Sequence, residues 1–102
     1  MRKIKYIKRD SAESMIKNEG FHLVVNYVSA SFQDIYVYYK RVKNYYYVIM
    51  HEQTDDKLGN CRIYCDLDGL LELMRDSGAD WDKLLNMAIE DGDAELENAL
   101  KS

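Results

Sequence analysis

Proline is absent from the 102 residues, and glycine occurs only five times. With no Pro-, Gly- or Ser-rich stretch there is no place to draw a flexible linker, so residues 1–102 read as one small domain. Cysteine is also scarce, two residues, and no secretory signal core stands at the amino terminus; this points to a reducing, cytoplasmic setting. No apolar run approaches the roughly 20 residues of a membrane-crossing helix, so no membrane partner is expected. With two histidines and no catalytic signature around them or the cysteines, enzyme chemistry is not expected either, nor is any cofactor.

What is present argues for a folded chain. Hydrophobic residues make up 47% and charged residues 31%, too apolar and too aromatic for disorder. The net charge of -4 conceals a division. Residues 1–50 carry nine Lys/Arg against four Asp/Glu, and residues 51–102 carry five against fourteen. Such asymmetry suggests an electrostatic partner at one end or the other.

Periodicity gives the element order. The stretch 1–9 alternates weakly and suits a short edge strand whose lysines discourage edge pairing. Asp10-Ser11-Ala12-Glu13 has the form of a capping box opening a short helix, which turns Met15 and Ile16 inward and stops at Gly20. Three β-branched and aromatic stretches follow, from Phe21 to Val28, Ile35 to Lys40 and Tyr45 to Met50. In the first, Phe21, Leu23, Val25 and Tyr27 share a face by alternation. Glu52 to Asn60 reads as a polar loop, and Cys61 to Cys65 as a fourth strand. Leu67, Leu70, Leu71 and Met74 then repeat at helical spacing, as do Trp81, Leu84, Leu85, Ala88 and Ile89. Asp66 or Asp68, Asp80 and Asp93 are the expected N-caps, with Gly78 and Gly92 as stops. The expected architecture is α+β: an antiparallel three- or four-stranded meander, a short N-terminal helix, and two or three C-terminal helices packed on one face.

Metal sites are not supported. Asp66-Leu67-Asp68-Gly69 resembles part of a calcium loop, yet that register puts Tyr64 and Arg75 where the first and last oxygen ligands belong. Cys61 and Cys65 on one strand stand about 13 Å apart, too far for one metal ion or one disulfide. A zinc site drawing in His22 and His51 would need four residues from distant segments, without paired-cysteine spacing. A thiol–imidazole pair of Cys61 or Cys65 with His51 has nothing nearby to orient it.

Two features stand out. Tyr36, Tyr38, Tyr45 and Tyr47 are expected on one outer sheet face beside Lys40, Arg41 and Lys43, as a platform for bases or a protein interface. From Asp66 to Ser102 there are eleven Asp/Glu and three Lys/Arg. Asp76, Asp80 and Asp82 cluster at one inter-helix turn, and Glu90, Asp91, Asp93, Glu95 and Glu97 at the next. Helix-dipole stabilisation accounts for a minority of these acids; the others suit either solubility or a docking face. Reversing Asp76, Asp80, Asp82, Glu90, Asp91 and Asp93 is expected to abolish docking and leave the fold intact.

A short helix, a meander ending near Tyr45-Tyr46-Tyr47-Val48-Ile49, and acidic helices from Asp66 and Asp80 form a layout that resembles some small acidic anti-CRISPR proteins of phages and mobile elements. The strand around Cys61 and the basic start depart from that pattern. The resemblance implies occlusion of the site with which a CRISPR effector nuclease reads the short DNA motif beside its target. The expected function is therefore a non-enzymatic inhibitor or adaptor whose acidic helical end occupies a basic, nucleic-acid-binding groove of a protein partner. Two alternatives stand beside it. One is a nucleic-acid binder using the tyrosines with Arg2, Lys3, Lys5, Lys8, Arg9, Lys40, Arg41 and Lys43; the other is a homodimer joined through the tyrosine face.

Overall fold

The computed structural model describes residues 2–30, 32–52 and 60–102. Residues 53–59 of the expected polar loop lie outside these. The chain runs β1 (Arg2–Tyr6), α1 (Arg9–Asn18), β2 (His22–Val28), β3 (Asp34–Val42), β4 (Tyr45–Glu52), β5 (Cys61–Cys65), α2 (Leu67–Asp76), α3 (Trp81–Asp91) and α4 (Ala94–Lys101). The strands form one antiparallel sheet in the order β1-β5-β4-β3-β2. β2 to β5 are the expected meander, in its four-stranded form. β1 adds a fifth strand beside β5, with Arg2 opposite Cys65 and Tyr6 opposite Cys61. β1 is itself an edge of the sheet, as expected, and its lysines stand on a strand paired on one side only. α1 carries the chain from that edge to the opposite one.

Alternation sorts the two faces. Val37, Tyr39, Tyr46, Val48, Ile63 and Cys65 are buried on one face against Leu70, Leu73, Met74, Leu84, Ala88, Leu96 and Leu100 from α2, α3 and α4. Burying aliphatic side chains of this size contributes about 1.5–3 kcal/mol each relative to exposure, which makes this layer the main source of stability. α1 lies on the reverse face. Its Glu13 carboxylate comes within 3.8 Å of His51, and the buried Ala12 and Ile49 stand outside the main core.

The helix stops and caps follow the sequence, with one exception. Asp66 accepts from the Gly69 amide at 2.9 Å, Asp80 from Asp82 at 2.9 Å, and Asp93 from Leu96 at 3.2 Å. Gly92 takes φ 69° at the end of α3, a conformation that costs glycine nothing and a side-chain-bearing residue about 1–2 kcal/mol. The exception is α1. Its N-cap is Lys8 and it has no side-chain cap; Glu13 pairs instead with Arg9 at 3.1 Å, one helical turn away, so the capping box does not form. Two further expectations are corrected. A bulge between Leu23 and Val25 breaks the alternation of β2, placing Leu23 opposite Tyr38 and Val25 opposite Val37, on different faces. Ile89 is 49% exposed, because α3 turns Leu84 and Ala88 to the core one step around the helix.

Candidate functional site

The acidic helical end is where the sequence concentrates its anomaly, and half of those acids have internal partners. Asp93 is buried, 6% exposed, at the start of α4. One carboxylate oxygen accepts from the Leu96 amide and from the Arg41 guanidinium; the other accepts from the Tyr46 hydroxyl at 2.7 Å. Arg41 also donates to Glu95 at 3.1 Å and to the Tyr46 oxygen at 3.0 Å, and its guanidinium lies 5.3 Å from the Tyr46 ring centre. Burial opposes the charged form of Arg41, but its hydrogen bond to Glu95 and the negative charges around it prevail and raise its pKa. Burial first, and Asp93 second, push the Tyr46 phenol above its ordinary range; burial, Asp91 and Asp93 do the same to Tyr39.

Asp91 is likewise engaged, its carboxylate 2.7 Å from His22 Nε2 on β2. Glu97 pairs with Lys101 at 2.7 Å along α4. Arg41 and His22 thus tie the α3–α4 junction to the sheet. This corrects the placement of Arg41, which the alternation in β3 puts on the helix-covered face opposite Tyr46, away from the tyrosine platform. It also corrects the expectation that reversing Asp93 spares the fold, since a lysine there would bury a cation against Arg41. Asp76, Asp80, Asp82 and Glu90 remain exposed. Asp80 caps α3, and among the described residues Asp76, Asp82 and Glu90 take part in no ion pair.

The four tyrosines expected on one face share it. Register places Tyr36 opposite His51, Tyr38 opposite Ile49, Tyr47 opposite Lys40 and Tyr45 opposite Val42. They divide into two pairs along the strands. Tyr36 and Tyr38 lie toward the end where α1 reaches His51, and burial followed by the nearby Tyr36 raises the Tyr38 pKa. Tyr45 and Tyr47 lie toward the other end, where both rings meet Tyr64 of β5 at 5.1 and 5.2 Å. Arg62 stacks over Tyr47 with its guanidinium 4.6 Å from the ring centre. Lys3 stands opposite Tyr64 and Lys5 opposite Arg62. Lys3, Ile4, Lys5, Tyr47, Arg62 and Tyr64 line a shallow cavity of about 270 Å³.

Tyr64 and Arg62 are functional candidates that sequence reasoning missed. Alternation within Cys61–Cys65 places them on one face, but which face, and beside which tyrosines, follows only from the β4–β5 register. The same register separates the remaining chemical groups. Cys61 and Cys65 face the helix-covered side, while His51 is on the reverse face, its Nδ1 2.5 Å from Asn60 Oδ1. The thiol–imidazole pair is therefore not assembled. Burial raises the pKa of both thiols, that of Cys65 to about 11. Among the described residues, no three His, Cys, Asp or Glu side chains are close enough together to hold a metal ion, and no helix is long and apolar enough to cross a membrane.

Comparisons with protein-family models, with curated proteins and with solved structures each find no match to this chain.

Proposed function

We propose that the protein is a non-enzymatic binding protein that docks its acidic helical end into a basic groove of a protein partner, one shaped to hold nucleic acid. The observation carrying this reading is that Asp76, Asp80, Asp82 and Glu90 are exposed on α2 and α3 and the loop between them, while the cations Lys3, Lys5, Lys40 and Arg62 belong to the reverse sheet face. Carboxylates presented by rigid helices replace phosphates in such a groove, speeding encounter and making the complex sensitive to salt. Asp82 and Glu90 lie eight residues apart on α3, about 12 Å along its axis, a span that suits several phosphate-binding cations at once. The resemblance to anti-CRISPR proteins makes the DNA-motif-reading groove of a CRISPR effector nuclease the first partner class to test.

The test is capture of partners from the host cell on immobilised protein, at low and high salt, with duplex DNA as competitor. The wild-type chain should retain a basic, nucleic-acid-binding protein that duplex DNA or salt displaces. A variant carrying Asp76→Lys, Asp82→Lys and Glu90→Lys, with Asp80→Ser to keep the cap, should fold and retain none of it. Equal retention by that variant ends the docking reading.

A further inference from the structure

The open half of the reverse sheet face holds a second arrangement of side chains that the docking reading does not use. Two neighbouring cross-strand rows run over it. The first reads Lys3, Tyr64, Tyr47, Lys40 across β1, β5, β4 and β3. The second reads Lys5, Arg62, Ile49, Tyr38 across the same strands and leaves the open half at Ile49, which is fully buried on the part of the face that α1 reaches. Tyr45 adds a third ring beside Tyr64 and is 36% exposed. In the first row rings occupy the middle and cations the flanks, and the second sets Lys5 and Arg62 alongside Lys3 and the Tyr64–Tyr47 pair. Among the described residues, no acid forms an ion pair with Lys3, Lys5, Lys40 or Arg62, so their charge is free to meet a ligand.

This arrangement fits one class of ligand. Flat aromatic faces at half-wet positions offer stacking to flat rings, and a guanidinium lying on Tyr47 extends that stacking surface. The cations beside them offer contacts to an anionic backbone at the spacing of neighbouring strands, about 4.8 Å. A lone anion has no use for the rings, and an apolar peptide none for the cations. A duplex hides its ring faces, and the platform carries no projecting element to enter a groove. A single-stranded polynucleotide presents both unstacked bases and phosphates. We infer that the Tyr45, Tyr47, Tyr64, Arg62, Lys3 and Lys5 platform is a binding site for single-stranded nucleic acid, stacking two or three bases while the lysines follow the backbone.

Fluorescence anisotropy with labelled single strands of about ten nucleotides, one oligo-dU and one oligo-U, tests this with the full chain. The wild type should bind with a dissociation constant on the order of 10 μM at about 50 mM salt, and the logarithm of affinity should fall with that of salt with a slope of about −2 to −3. The difference between the two probes assigns deoxyribose or ribose. Tyr45→Leu, which keeps an apolar side chain at a half-exposed position, should weaken binding about tenfold. A triple Lys3→Glu, Lys5→Glu, Arg62→Glu variant should abolish it. Lys83→Glu on α3 applies a charge change of the same sign to the helical layer and should change affinity less than twofold. Circular dichroism confirms that each variant is folded. No binding of either probe by the wild type overturns the inference, as does equal weakening by Lys83→Glu, which would mark the attraction as nonspecific. Because the two surfaces lie on opposite sides, the docking variant and the platform variants fail separately.

Discussion

At the residue scale, the most informative carboxylates are those that finish a backbone. Asp66 accepts the Gly69 amide at the start of α2, and that hydrogen bond is the chief reason its pKa is lowered. A lowered folded-state pKa means the ionised form is favoured by folding, so its contribution is complete above the ordinary carboxylate value near 3.9 and is lost as pH falls through the folded value. Asp66→Ala should therefore unfold at lower denaturant than the wild type at neutral pH, and the gap should narrow as pH is taken well below the ordinary carboxylate value near 3.9. Chemical denaturation of both proteins at neutral and acid pH measures this; a gap that persists undiminished in acid would mean that Asp66 acts by packing and not by charge. Cap positions such as Asp66, Asp80 and Asp93 were legible in the sequence because each is local, set by one acceptor and an amide two or three residues on. Asp10 and Glu13 satisfied the same local pattern and still did not form a capping box. There the chain enters α1 two residues early, with Lys8 and not Asp10 at the N-cap, and Arg9 offers Glu13 an ion pair in place of a free amide.

At the element scale, strand faces were legible wherever alternation ran unbroken, as in β3 and β4, and failed at the bulge in β2. A bulge inserts one residue without changing composition, so nothing local in Leu23-Val24-Val25 announces it. The acids of the α3–α4 junction were misread for a related reason. Their partners, Arg41 and His22, lie on β3 and β2, 52 and 69 residues away in sequence, and only the fold brings them to Asp93 and Asp91. That junction carries a sharp prediction. Arg41→Met keeps much of the stem that packs on Tyr46 but leaves the Asp93 carboxylate buried with only the Tyr46 hydroxyl and the Leu96 amide. Removing one partner of a buried pair costs about 3–5 kcal/mol, and the 23% exposure of the Arg41 side chain lowers this to about 2–3 kcal/mol. For a domain of this size the midpoint of thermal unfolding should fall by roughly 10 °C or more. Arg41→Met with Asp93→Asn, which removes the stranded charge and keeps a capping side chain, should recover part of that loss. Calorimetry on the two variants decides it: no loss in the single variant, or no recovery in the double, removes the junction from the list of stabilising elements.

At the scale of the whole molecule, the two faces of the sheet have opposite electrical character, and this bears on self-association. A homodimer joined through the tyrosine face is two-fold symmetric, so each residue at its centre meets a copy of itself or of a near neighbour. That geometry sets Lys3, Lys5, Arg62 and Lys40 of one chain against the same four of the other, with no acid of the platform between them. Tyr45, Tyr47 and Tyr64 supply apolar area, but they do so inside a cationic frame whose repulsion grows as salt is lowered. The molecule measures 38 × 25 × 24 Å, and the open half of one sheet face falls short of the roughly 800 Å² per partner that stable pairs bury. The chain should therefore run as a 12.0 kDa monomer in light scattering at about 50 mM salt and micromolar concentration. Raising salt, which weakens strand binding to the platform, is the one change that favours pairing through it. A 24 kDa species that is strongest at low salt, by contrast, would have to join the acidic helices of one copy to the cationic sheet of another. Such a head-to-tail contact would compete with both proposed ligands, and the triple Lys3→Glu, Lys5→Glu, Arg62→Glu variant would abolish it.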